Sequence, residues 1–232
     1  MKKETTIKQI VYLLISTLAL LSCNNQKEKT IDSLAITDTT NNKSKLHKLN
    51  KLFVIGDFDG DRKQDTIFQH TFSRLLKTEI EYSPDPLHND WDTVVKWFNN
   101  QDADLFMTFK TNNHDTLHLG AAQGLYCLLN IGDNNADGKD EIALVIDYLD
   151  FSEVNSCKIY SLCNKKWILL KQFNILESSF DFATNKAPIF NNIKDFLEKR
   201  NGKWVYKDYS HESYETKEAV KKMTELKVGK CK

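Results

Sequence analysis

The chain has 232 residues, of which 32 are basic and 32 acidic, so its formal net charge is zero. No basic field exists to hold nucleic acid. The length fits one domain with a real core plus a leader and a linker, rather than a string of domains.

Met1-Lys2-Lys3, with Lys8 following, makes a positively charged start, and Ile10 to Leu21 is an uncharged, mostly apolar run. Such a run has the form of a signal-peptide core and is too short to span a bilayer comfortably. It ends in Leu20-Leu21-Ser22-Cys23, which resembles the lipobox of bacterial lipoproteins. The resemblance implies a signal peptide over 1–22, cleavage before Cys23 and a diacylglycerol on the Cys23 thiol. Two or three acyl chains make a lasting membrane anchor, whereas one binds only marginally. The implied location is the bacterial cell envelope. Asn24 merely lacks the Asp linked with inner-membrane retention in some bacteria; the expected site is the outer membrane, with the domain facing the periplasm or the surface, and the sequence does not choose the leaflet.

After Cys23, residues 24 to about 50 are rich in Asn, Thr, Ser and Lys and lack Phe, Tyr and Trp. They cannot bury enough apolar surface to order themselves and read as a flexible tether. The folded domain is therefore expected over 51–232.

Within it the apolar period is that of strands. Leu52-Phe53-Val54-Ile55 and Thr66-Ile67-Phe68 flank an acidic loop, a short helical insertion runs from Trp91 to Phe98, and strands follow at Leu105–Phe109 and Thr116–Leu119. A second set repeats this frame: Leu125–Ile131, an acidic loop, Glu141–Asp147, Cys157–Leu162, an Asn164-Lys165-Lys166 turn and Trp167–Phe173. The units fall at about 51–120 and 125–175. A C-terminal hairpin is expected at about 190–210, centred on Asn201-Gly202, because both residues of that dipeptide tolerate positive φ. The expected fold is mainly β with minor α.

The two acidic loops carry the chemistry. Asp57, Asp59, Asp61 and Asp65 in the first, and Asp133, Asn135, Asp137 and Glu141 in the second, place oxygen side chains at positions 1, 3, 5 and 9. Lys63 and Lys139, at position 7, would each add a main-chain carbonyl. A hard cation such as Ca2+ takes six to eight oxygens. An EF-hand loop needs a bidentate Glu at position 12, where Phe68 and Leu144 stand here. The strand-loop-strand setting instead resembles FG-GAP or VCBS-type repeats, in which such a loop joins two strands of a propeller blade and binds calcium. That resemblance implies one or two Ca2+ ions and antiparallel meander sheets forming two to three propeller-like blades. Two repeats fall short of a closed propeller. Arg62 replaces the Gly of position 6, where a left-handed backbone is expected, while Gly138 keeps it.

Cys127, Cys157, Cys163 and Cys231 permit two disulfides in three connectivities, and the sequence does not choose among them. His114 and His118, four apart, offer a zinc pair without a third ligand. Asp147, Asp150 and Glu153 form an acidic loop that could supply paired carboxylates for glycoside chemistry. Trp204, Tyr206, Tyr209 and Tyr214 offer either core or a binding face. No nucleophile elbow, phosphate loop or dinucleotide fingerprint is present, so no catalytic residue is assigned. The leading expectation is a lipid-anchored binding or scaffold module with structural calcium and a protein or glycan ligand. The alternatives are a calcium-stabilised hydrolase of envelope polymer or glycan, and an inhibitor or immunity-like partner of another exported protein.

Overall fold

A computed structural model describes residues 45–111, 114–180, 192–209 and 223–231, which form three larger antiparallel sheets and a two-stranded one. The signal peptide, Cys23, the tether up to residue 44 and Tyr214 lie outside the described residues. The fold is mainly β with one α-helix among those residues, and no helix in them is long and apolar enough to cross a membrane.

The first sheet is the meander β2 (Phe53–Gly56), β3 (Asp65–Ser73), β6 (Ala103–Phe109) and β7 (Leu117–Gly120), with β4 (Thr78–Glu79) paired to the end of β3. The second is the meander β8 (Ala122–Gly132), β9 (Glu141–Tyr148), β10 (Val154–Cys163) and β11 (Lys166–Leu176). The third is small: β12 (Leu197–Arg200), β13 (Lys203–Tyr206) and β14 (Thr224–Glu225). Each four-stranded meander carries its acidic loop between its first and second strands.

Within the middle sheet, β9 is buried on both faces. Ile142, Leu144 and Ile146 of β9 meet Val54, Ile67, Leu105 and Met107 of the first sheet, while Ala143 and Val145 meet Phe196, Leu197 and Trp204 beside the third. This explains why β9 reads as a continuous apolar run rather than an alternating one. In β11 the register against β10 skips Leu170. One extra residue reverses the side-chain parity, so Trp167 faces the first core whereas Phe173 and Ile175 face the second.

Tight turns follow their residues. Asn201 (φ 50°) and Gly202 (φ 81°) join β12 to β13, and Asn164 (φ 49°) and Lys165 (φ 66°) join β10 to β11. Both are two-residue turns with positive φ at each position, whose twist matches that of the strands. Lys166, expected in the turn, instead opens β11.

The insertion between β3 and β6 holds β5 (Tyr82–Pro84) and helix α1 (Trp91–Asn100). Val94 and Phe98 of α1 pack on Leu49, Ile80 and Ala103 in a satellite core. The ordered domain starts earlier than Lys51: β1 (Leu46–Lys48) pairs with β5, and Leu49 is buried. The polar composition that suggested a tether reaching residue 50 is overridden here by pairing with a distant strand.

A disulfide joins Cys163 to Cys231, whereas Cys127 and Cys157 are buried free thiols. The latter two each stand opposite Val145, on either side of β9. Two strand spacings, about 10 Å, separate them, beyond the reach of a disulfide at roughly 7 Å between Cα atoms. Burial pushes the Cys127 thiol up to about 12 and Cys157 well above its ordinary value.

Candidate metal centres

The two acidic loops share one wiring. At position 1, Asp57 Oδ2 accepts from the Arg62 amide and Asp133 Oδ2 from that of Gly138, both at 2.9 Å. At position 5, Asp61 Oδ1 accepts from the Lys63 amide at 2.8 Å and Asp137 Oδ1 from the Lys139 amide at 3.1 Å. At position 9, Asp65 Oδ2 accepts from Phe58 N at 3.3 Å and Glu141 Oε2 from Asn134 N at 2.8 Å. Positive φ recurs at position 4 in Gly60 (83°) and Ala136 (57°), and at position 6 in Arg62 (67°) and Gly138 (87°). Arg62 therefore holds a left-handed conformation that costs a non-Gly residue about 1 kcal/mol.

In the second loop, carboxylate oxygens of Asp133, Asp137 and Glu141 lie within 4.8 Å of one another. Asn135 Oδ1, Asp137 Oδ2 and Glu141 Oε1 are buried with no hydrogen-bond partner among the described residues. Each of these side chains uses its other polar atom on the protein: Asn135 Nδ2 donates to Gly229 O at 3.1 Å, and the remaining carboxylate oxygens accept loop amides. Buried acceptors without donors are costly and rare. Glu141 is fully buried. That burial, reinforced by the Asp137 and Asp133 charges, pushes its carboxyl up to about 7 despite lowering hydrogen bonds from Asn134. An all-oxygen set with three carboxylates and three unpartnered oxygens fits a hard cation.

The first loop differs in electrostatics rather than backbone. Asp57, Asp59 and Asp61 offer oxygens within 4.8 Å of one another. Asp65, which its spacing assigned to the same site, is outside that group, and burial followed by the Asp59 charge raises its pKa. Lys63 Nζ sits 2.9 Å from Asp61 Oδ2, and His114 Nε2 lies 3.3 Å from Asp59 Oδ2. The hydrogen bond from Lys63 holds the Asp61 carboxyl below its ordinary range. Lys63 was expected to offer its carbonyl alone, yet its side chain already engages one of the carboxylates. Lys139, its counterpart, turns away and donates to Leu162 O at 2.8 Å.

The loops also touch each other. Asp140 N donates to Asp57 O at 2.8 Å, and Asp140 Oδ2 accepts from Asp57 N at 3.1 Å and from Asn130 Nδ2 at 2.7 Å. Asn130 Nδ2 also reaches Ile55 O at 3.0 Å. Sequence spacing gave Asp140 no role, and no local signal marks it, since its partner lies 83 residues away.

Other sequence candidates are dispersed. His114 faces Asp59 and the Phe109 ring, whereas His118 faces Asp104 and Phe106, so the two imidazoles serve different neighbours. Asp150 is exposed and accepts from Ser152 N, and Glu153 is exposed as well. The carboxylate that joins Asp147 is Glu177, from the short 3-10 turn after β11, with Tyr126 between them. Burial, then the Glu177 charge, pushes Asp147 up to about 7 against hydrogen bonds from Tyr126 and Gln123. Trp204 and Tyr209 are core residues and Tyr206 is half-buried. No known protein family, curated protein or solved structure matches the chain.

Proposed function

We propose that the chain is an exported, lipid-anchored binding or scaffold module whose β-domain is stabilised by Ca2+, with the second acidic loop as the principal site. The observation that supports this most is the trio of buried, unpartnered oxygens on Asn135, Asp137 and Glu141. The first loop, where Lys63 and His114 already approach two carboxylates, is the weaker site, because an incoming cation has to displace or outweigh those groups. The ion's role is structural: both loops join core strands, and a bound cation replaces carboxylate repulsion with attraction.

Calorimetric titration of calcium into the chelator-treated full chain tests this reading, alongside Asp137→Ala. Saturable binding that loses its tightest phase in the variant supports it; no saturable heat at millimolar calcium overturns it. The membrane partner rests on Leu20-Leu21-Ser22-Cys23. Cys23→Ser is expected to move the chain from the membrane to the soluble fraction of the producing cell, and unchanged partition would refute the lipid anchor. The ligand of the module is proposed to be a protein or a glycan of the envelope.

A further inference from the structure

Beyond β14 the chain leaves the third sheet and crosses to the second acidic loop. Leu226 is buried and its amide bonds Trp204 O at 2.8 Å, which fixes the start of the crossing. Its end is fixed twice at the loop, where Gly229 O accepts from Asn135 Nδ2 at 3.1 Å and Lys230 Nζ reaches Ala136 O at 3.4 Å, and once at the end of β10, where Cys231 is disulfide-bonded to Cys163. Asn135 is the one neutral side chain in the proposed ligand set. Nothing in the loop's own wiring orients its amide. The bond from Nδ2 to Gly229 O does so, and it leaves Oδ1 buried and unpartnered beside Asp137 and Glu141.

We infer that the C-terminal segment Gly229–Cys231 is a positioning element of the second cation site, so that reducing the Cys163–Cys231 disulfide weakens calcium binding at that loop alone. The inference rests on the calcium reading above. A small dithiol supplies the chemistry: its thiolate attacks one sulfur, the S–S bond breaks, and its second thiol resolves the mixed disulfide. Two electrons and two protons end on Cys163 and Cys231, and the reductant leaves as a cyclic disulfide. Cys231 is the more exposed of the two residues and the natural point of attack. The sheets do not depend on the bridge, since β14 and Leu226 remain held by the strand pairing and the core. Val228 also packs on the second core, so only Gly229, Lys230 and Cys231 lose their far anchor. Outer-shell partners that orient a metal ligand are commonly worth about 10- to 100-fold in affinity.

The test is calcium titration of the full chain in three states: oxidised, dithiol-reduced, and with Cys231→Ser. Near-UV circular dichroism monitors the fold. Reduction and Cys231→Ser are both expected to weaken, by about 10- to 100-fold, the phase that Asp137→Ala abolishes, with the spectrum retained. Asn135→Asp keeps an oxygen ligand but removes the donor to Gly229, so its affinity is expected to be the same in both redox states. Equal affinity of the unmodified chain before and after reduction overturns the inference while leaving the calcium site standing. So does a full redox effect persisting in Asn135→Asp. An oxidised chain that binds no calcium overturns the site itself, and this inference with it.

Discussion

Chelation is expected to lower the melting temperature of the full chain by about 5–11 °C relative to the protein in calcium at a hundredfold excess over its Kd. That excess is worth about 2.7 kcal/mol of linkage to the folded state, and a domain of 150–250 residues moves about 2–4 °C per kcal/mol. The effect originates in the second loop. Without an ion, Asp133, Asp137 and Glu141 converge in a partly dry site with three oxygens unsatisfied; with one, those oxygens have a partner. The pH dependence has a definite sign. Burial raises Glu141 in the ion-free fold to about 7, so below that pH the carboxyl holds a proton that the cation must displace. The calcium-dependent gain is therefore larger at pH 8 than at pH 6. Differential scanning calorimetry with and without chelator at both values checks this, and superimposable melts would remove the stabilising role.

Gly56→Ala is expected to destabilise the domain by about 1–3 kcal/mol, the range of an overpacked buried position. Gly56 ends β2 where the two loops meet, and a Cβ there would fall 2.4 Å from Asn130 Nδ2, 2.7 Å from Asp140 Oδ2 and 2.7 Å from Phe58 Cζ. The requirement is space rather than backbone angle. Asn130 and Asp140 are the groups that tie one loop to the other, and Phe58 is fully buried. Accommodating a methyl group means parting those bonds or moving that ring. In an Asn130→Ala background the same substitution meets one obstacle fewer, so a double-mutant cycle should show a smaller Gly56→Ala cost there. Urea denaturation of the four chains measures it; additive costs would show that the crowding at Asn130 is relieved without loss.

The local rules of the chain were legible in its residues. Alternating apolar strands, Asn-Gly and Asn-Lys turns, and a positive φ at position 6 of each acidic loop all follow from side-chain period and steric freedom, and the structure has them at those residues. What was illegible depends on partners far away in sequence. Leu46, His47 and Lys48 carry no strand pattern of their own and are ordered by Tyr82–Pro84. Asp140 has no role that its loop spacing assigns, and its partner Asp57 comes from the other acidic loop. Glu177 reaches Asp147 because the β10–β11 hairpin returns it there, not because of any motif. The difference between the loops was legible only in part: Arg62 against Gly138 and Asp59 against Asn135 already set better geometry in the second loop and more charge in the first, and the distant contacts of His114 and Gly229, with that of Lys63, add to it.

β9 gives the domain its cooperativity. Ile142, Leu144 and Ile146 belong to one core and Ala143 and Val145 to the other, so the strand has no solvent side. Opening either core strips a face from the sheet that closes the other, and the remaining core then loses the wall it packs on. The two cores cannot melt one after the other as independent bodies. The two cores that flank β9 are thus expected to stand or fall together, with the second acidic loop opening directly into the strand they share.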